Sequence, residues 1–292
     1  MRSEKRTYTY KRVGECEIRA DVYGSGDCQA RPVIVWLHGG ALIMGHRGDI
    51  SPRERDLYLG AGYQVVSVDY RLAPESKLAA IIEDLEDACQ WVREAGIGLF
   101  GADPGRMAAI GHSAGGYLAL MAGFRVEPRP RALVSFYGYG DIAGPWYSRP
   151  DPFYCQQPLV RAEEAWASVG RMVLSGTHDE KRERFYLYCR QQGLWPKEVA
   201  GHDPHTEPAA FLPLCPVRNV TGDYPPTLLL HGDRDTDVPY EQSVMMAGAL
   251  AAAGVEHELI AIPGGEHGFD AGDDRVVVDA FDRVLAFLRA HV

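Results

Sequence analysis

The sequence predicts an α/β fold: a mostly parallel, doubly wound sheet with antiparallel strands at its N-terminal end and a helical insertion near its middle. Three observations carry this expectation. Short apolar runs such as Val33-Ile34-Val35-Trp36-Leu37 and Ala132-Leu133-Val134-Ser135-Phe136-Tyr137 have the pattern of strands buried on both faces. Between residues 33 and 137 such runs alternate with longer segments of helical period. Residues 111–116, Gly-His-Ser-Ala-Gly-Gly, contain the pattern G-x-S-x-G with Ser113 at its centre. A strand-like run at 106–110 precedes it and an apolar helical run at 117–123 follows. A serine on so sharp a turn is held with its hydroxyl exposed, and flanking glycines avoid collisions with strand and helix.

Composition bounds the reading. The chain has 292 residues, enough for one large α/β domain with an insertion or for two small domains. Hydrophobic and charged fractions of 46% and 24% are those of an ordinary globular protein. A net charge of −10 argues against nucleic-acid binding, which favours a basic stripe. No window is apolar for long enough to span a bilayer. The first residues carry charge without an apolar segment behind it, so no signal peptide is expected. Cys16, Cys28, Cys89, Cys155, Cys189 and Cys215 lack C-x-x-C pairing. They are expected to be reduced thiols of a cytoplasmic protein rather than disulfides or a zinc site. A homo-oligomer is compatible with this composition.

In chain order, residues 8–12 and 17–23 alternate as two antiparallel strands, followed by a turn at 24–27. The buried run 33–37 ends in His38-Gly39-Gly40-Ala41. A glycine pair there serves either as a tight turn or to leave backbone N–H groups uncovered beside a reacting carbonyl. A helix is expected over 52–61, a strand over 64–69 and a loop over 70–75, where Pro74 restricts Ala73. Residues 79–95 form an amphipathic helix with Ile82, Leu85, Ala88, Cys89 and Val92 along one stripe. Asp103-Pro104-Gly105 reads as a turn before the Ser113 unit. The pattern resumes with strands at 226–231 and 256–262 and helices at 240–253 and 274–290, the first of these helices ended by Gly254.

Between the two halves, residues 138–224 break the alternation. They are rich in proline and aromatics: Trp146, Tyr147, Phe153, Tyr154, Trp166, Phe185, Tyr186, Tyr188, Trp195 and Phe211. Helices are expected at 161–170 and 180–192. So long a stretch favours an inserted cap over a structureless loop. Residues 1–137 and 225–292 then form the core. The insertion's position at a strand's C-terminal end places it over the ligand crevice of an open α/β sheet. Most of its aromatics are expected to form a small core of their own, with a minority lining a pocket.

A serine nucleophile needs a base to take its proton, and a carboxylate to orient that base and stabilise its charged form. The order in doubly wound folds is nucleophile, acid, base. Ser113, Asp235 and His267 supply it, each in a loop after a predicted strand, so all three fall at one edge of the sheet. Asp237 is a rival acid. Asp235, four residues after the strand-ending His231, is preferred. Asp233 is read as bonding its own turn, and Glu266 as a surface or supporting group. His38 and His112 are read as supports of their turns. His202 and His205 lack companions at metal-ligand spacing, so no metal is expected. The N–H groups of Gly39, Gly40, Ala41 and Ala114 are the candidate donors to a developing oxyanion.

Taken together, H-G-G, D-Y-R-L-A-P-E, G-H-S-A-G-G, H-G-D-x-D-x-x-V-P and E-H-G-F resemble the α/β-hydrolase superfamily. Within it the chain is similar to the hormone-sensitive-lipase-like esterases, the alpha/beta hydrolase-3 group. The resemblance spans residues 38–269. It implies an α/β-hydrolase fold, a Ser113–Asp235–His267 triad, and a cofactor-free carboxylic ester hydrolase acting on small acyl esters with short chains. Ala41 stands where the family often has a fourth residue of H-G-G-G, a change that keeps the backbone donor. With only 37 residues before His38, the cap is expected to come mainly from 138–224. The loop after Asp235 looks more like those of prolyl-oligopeptidase-type and dienelactone-hydrolase-type members. A second reading is therefore an amidase or peptidase of the same fold, including the kynurenine-formamidase-like kind. A third, a non-catalytic receptor on this fold, predicts a lost triad member, and none is missing.

Overall fold

A computed structural model describes residues 4–24, 29–272 and 274–292. Cys28 and all but the first residue of the turn expected at 24–27 lie outside these. The chain begins with β1 (Glu4–Val13) and β2 (Cys16–Gly24), both longer than the sequence suggests. Gly14 turns between them at a φ of +56°, a left-handed conformation that glycine adopts without a Cβ penalty. There follow β3 (Arg31–Leu37), α1 (Pro52–Gly60), β4 (Gln64–Val68), α2 (Leu78–Phe100), β5 (Ala102–His112), α3 (Ala114–Arg125) and β6 (Ala132–Phe136). After the insertion come β7 (Thr227–Gly232), α8 (Glu241–Ala252), β8 (His257–Ile262) and α9 (Arg275–His291). The described strands form one sheet in the order β1-β2-β4-β3-β5-β6-β7-β8. Pairing is antiparallel for β1–β2 and β2–β4 and parallel from β4 through β8. This is the α/β-hydrolase architecture that the motifs imply.

Alternation within each strand explains the layers. Val33, Val35 and Leu37 face one side with α2, α3 and α8, while Ile34 and Trp36 face the other with α1 and α9. Two elements depart from the expected bounds. The helix expected to end at residue 95 continues to Phe100, through Gly96 and Gly98. A Cβ at Gly96 would stand 3.0 Å from both Ala102 Cβ and the Phe100 ring, so tight packing there outweighs glycine's poor helix propensity. The helix closes at Gly101 in the left-handed conformation. The turn expected at 103–105 instead lies inside β5, as an irregularity between the pairs Arg31–Ala102 and Val33–Met107. Asp103 Oδ1 accepts the Gly105 N–H within it at 2.9 Å.

Residues 138–224 contain α4 (Pro145–Ser148), α5 (Ala162–Trp166), α6 (Lys181–Gln192) and α7 (Trp195–Ala200). The sequence anticipates α5 and α6 but not α4 and α7, each only one or two turns long. Isolated bridges join Thr177 to Gly45 and Ser175 to Arg71. The expected small separate aromatic core is not what forms. Tyr147, Phe185, Trp195 and Phe211 are buried in the same cluster as Val35, Leu37, Tyr117 and Leu118 of the sheet and its helices. Fully burying such rings is worth roughly 1.5–3 kcal/mol each, so the insertion and sheet share one stabilising core.

Candidate active site

The C-terminal ends of β3, β5, β7 and β8 converge on one cavity of about 670 Å³. Ser113 sits between β5 and α3 at φ 55° and ψ −116°, a conformation that side chains rarely adopt. Its N–H donates to Phe136 O, and its carbonyl accepts the Tyr117 N–H, both at 2.9 Å. The flanking glycines are dictated by space. A Cβ at Gly111 would stand 2.1 Å from Gly115 O, and one at Gly115 would stand 2.0 Å from Leu37 O.

His267 Nε2 lies 3.0 Å from Ser113 Oγ, and its Nδ1 lies 2.7 Å from Asp235 Oδ2. Asp235 Oδ1 accepts the N–H groups of Asp237 and Val238 at 2.9 and 2.8 Å. The loop thus folds around the Asp235 carboxylate and points it at the imidazole. Buried His231 adds a nitrogen 3.3 Å from Asp235 Oδ2, and its other nitrogen meets Ser243 Oγ at 2.7 Å. Burial opposes ionisation of Asp235, but the hydrogen bonds of His231 and His267 hold its carboxyl well below the usual range. Burial likewise works against a charged His267, yet Asp235 and Asp237 outweigh it and raise the imidazole above its ordinary value. An imidazole between a hydroxyl and a buried carboxylate can take the hydroxyl proton and keep the resulting charge.

On the opposite wall, the turn after β3 is packed against Ser113: a Cβ at Gly39 would stand 3.5 Å from Ser113 Cβ. Gly40, Ala41 and Leu42 take φ values of 101°, 54° and 61°. Among the described residues, the N–H groups of Gly39, Gly40, Ala41 and Ala114 donate to no protein acceptor. Trp195 Nε1 donates to Ala41 O at 2.9 Å, a hold on this turn from α7 that local sequence does not signal. His38 supports the same turn, with Nδ1 2.7 Å from Gly39 O and its ring stacked on Tyr70.

Beneath Ser113, His112 is buried between Asp270 and Glu54, at 3.4 and 3.7 Å. Burial opposes its charge, but the two carboxylates raise it to about 9. Tyr137 Oη donates to Asp270 Oδ1 at 2.6 Å, and its ring meets His267 edge-on. Neither Glu54 nor Asp270 stands out in the sequence. Asp233 differs from expectation: instead of bonding its own turn it accepts the Gly264 N–H at 2.6 Å, tying the Asp235 loop to the His267 loop. Glu266 is exposed and accepts from Thr236 Oγ1. His202 pairs with Glu207 at the surface, and His205 meets Ser148 O.

The insertion's aromatics reach the cavity only in a minority, as expected, but the rest of its wall there is polar. Thr177, His178, Asp179, Glu180, Glu183 and Tyr186 line it. Among its described aromatics only Tyr186 does so, beside a polar and acidic wall that the sequence does not signal.

Residues 34–271 match a family described as having the alpha/beta hydrolase fold. The chain is 31% identical over 344 aligned residues to a non-reducing polyketide synthase of Aspergillus calidoustus, covering 98% of this chain and 14% of that protein. It therefore spans about one-seventh of the length of that relative. An alpha/beta hydrolase superfamily protein from Enterococcus faecalis superposes with a TM-score of 0.78 at 23% identity, over 98% of this chain and 99% of that one. A thermophilic esterase of the Planctomycetes species Thermogutta terrifontis, with propionate bound, gives 0.70 at 22% identity, over 98% and 94%. At such identities the two structures share the fold.

Proposed function

This chain belongs to the alpha/beta hydrolase fold family, and from that premise we propose that it is a serine carboxylic ester hydrolase working through an acyl-enzyme on Ser113. The observation that carries this reading is the single imidazole bridging Ser113 Oγ at 3.0 Å and Asp235 Oδ2 at 2.7 Å. Ser113 Oγ attacks the acyl carbonyl as His267 Nε2 takes its proton. The Asp235 carboxylate holds the imidazolium in place. The carbonyl oxygen becomes an oxyanion facing the N–H groups of Ala114 and the Gly39–Gly40–Ala41 turn, which need no reorganisation to receive it. Collapse returns the proton from Nε2 to the leaving alcohol and leaves the acyl group on Ser113. Water then repeats the sequence and releases the acid.

Residues 138–224 act as a cap in this reading, with Thr177 to Tyr186 closing one wall over Ser113. A propionate-bound esterase of the same fold lends support to a short acyl chain. The test is a substrate panel with covalent labelling. Turnover of p-nitrophenyl acetate and butyrate is expected well above the decanoate, N-formylkynurenine and a prolyl anilide. A fluorophosphonate is expected to label Ser113, and Ser113→Ala to abolish both signals. Turnover of the amides alone, or full activity in Ser113→Ala, overturns the assignment.

A further inference from the structure

Asp237 competes with Asp235 for His267 in the sequence, and the structure gives it another position. Its Oδ1 is saturated: it accepts from Tyr154 Oη at 2.9 Å, Tyr186 Oη at 2.5 Å and Arg190 Nη1 at 2.6 Å. Arg190 is itself fixed. It is 1% exposed, its guanidinium lies 4.5–5.7 Å from the rings of Trp146, Tyr147, Tyr154 and Tyr186, and its other arm reaches Asp151 at 2.6 Å. Three donors on one oxygen leave the carboxylate no freedom to rotate. Oδ2 is the opposite case. It receives no hydrogen bond among the described residues, belongs to a residue lining the cavity, and stands 3.4 Å from His267 Nε2.

That distance has a chemical meaning in the ester-hydrolase reading, on which this inference rests. Nε2 must pass its proton to the leaving oxygen, so that oxygen comes within about 3 Å of it. An acceptor beside the same nitrogen is then within reach of a polar atom two or three bonds further along the leaving group. A plain alkyl group there would strip water from a carboxylate oxygen and replace it with nothing. The remaining charges agree. Asp49, Glu54, Asp179, Glu180, Glu183 and Asp270 also line the cavity, with no lysine or arginine among its described lining residues. His112 between Glu54 and Asp270 offsets part of this charge, and an anionic leaving group still meets net repulsion.

We propose that Asp237 Oδ2 accepts a hydrogen bond from a hydroxyl on the second carbon from the scissile ester oxygen, as in the monoester of a 1,2-diol, so that the enzyme's substrates are esters of polyhydroxy alcohols. The insertion sets this preference through Arg190, Tyr154 and Tyr186, which aim the carboxylate from above.

The test compares kcat/KM for ethyl butyrate, 2-hydroxyethyl butyrate and choline butyrate, the last cationic but without a donor. The hydroxyethyl ester is expected to exceed the ethyl ester by about 10- to 100-fold, the range of a hydrogen bond to a charged group. The choline ester is expected to fall below the hydroxyethyl ester. In Asp237→Asn the three donors hold the amide oxygen on their side and turn the NH2 into the cavity, so the ratio should fall to within about threefold of unity. Misfolded protein lowers both rates alike and cancels from the ratio. A wild-type ratio near one, a ratio unchanged in the variant, or preference for the choline ester overturns the proposal while leaving the esterase reading intact. Failure to cleave any of the three esters sinks both.

Discussion

Arg182 and Glu75 lie 2.8 Å apart with both side chains only 2% exposed, and join the insertion to the sheet. The same guanidinium donates to Ile43 O at 2.6 Å and Ala73 O at 2.5 Å, gathering the loops after β3 and β4 under α6. Removing one partner leaves the other charge buried and unpaired, which costs about 3–5 kcal/mol. Arg182→Met is therefore expected to lose that much in urea unfolding; a loss under about 1 kcal/mol would show the pair to be dispensable. Burial opposes the Glu75 charge, but Arg182 holds its carboxyl below the usual 4.5. A depressed folded value means the stabilisation is present above pH 4.5 and is lost as pH falls through the folded value. Glu75→Gln should flatten that acid slope.

His267 predicts the pH profile. In the ester-hydrolase reading only the neutral imidazole takes the Ser113 proton, and its folded value is raised above 6.5, with Asp235 and Asp237 overcoming burial. The acid limb of kcat/KM for an ester substrate should therefore have its midpoint above pH 6.5. In Asp235→Asn the amide oxygen still accepts from Asp237 and Val238, so the loop survives. Its NH2 then faces Nδ1 and forces the wrong tautomer, for a loss of about 10³–10⁴ in kcat. A midpoint below 6.5, or a variant within tenfold of wild type, contradicts this arrangement.

Why these features differ in legibility is physical. Ser113, Asp235 and His267 each follow a strand, and strand ends are read from local apolar runs, so their convergence is visible without coordinates. Gly111 is legible for the same reason, because its collision with Gly115 is local, whereas Gly115 collides with Leu37 O of the distant strand β3 and is legible only as part of the G-x-S-x-G pattern. Arg182 and Glu75 are 107 residues apart, and Trp195 and Ala41 are 154 apart. No periodicity relates such partners, and on its own helix Arg182 resembles any surface charge. The insertion's aromatics were legible as apolar but not as to what they pack on. Trp195 lies in the shared core because burial there satisfies both its ring and its N–H, which leaves the cavity wall to Thr177, Asp179 and Glu183.

His112 should make the protein alkali-sensitive. Its folded value is raised from 6.5 to about 9, with Asp270 and Glu54 overcoming burial. A raised value contributes stability that is complete below pH 6.5 and lost as pH rises towards 9. Chemical unfolding between pH 6.5 and 9 should show this decline, and His112→Gln should be less stable at pH 6.5 with a flatter slope. His267 adds a decline of the same sign in both proteins, so the difference between the slopes is the measure. Parallel slopes would remove His112 from the account.

In the ester-hydrolase reading, Trp195→Phe separates the grip on the Gly39–Gly40–Ala41 turn, the proposed oxyanion donor, from the filling of the core. Phenylalanine retains most of the buried ring but leaves Ala41 O without the donor now 2.9 Å away. An unpaired buried carbonyl costs about 1–3 kcal/mol, which unfolding experiments resolve. Ala41 holds a φ of 54°, and its neighbours Gly40 and Leu42 are also at positive φ, so this turn relaxes once the restraint is gone. Its N–H groups then meet the oxyanion less squarely. Because the oxyanion exists only in the transition state, kcat should fall about 10- to 100-fold while KM stays within about twofold. A rise in KM at constant kcat would instead mean that Trp195 acts by shaping the substrate cavity.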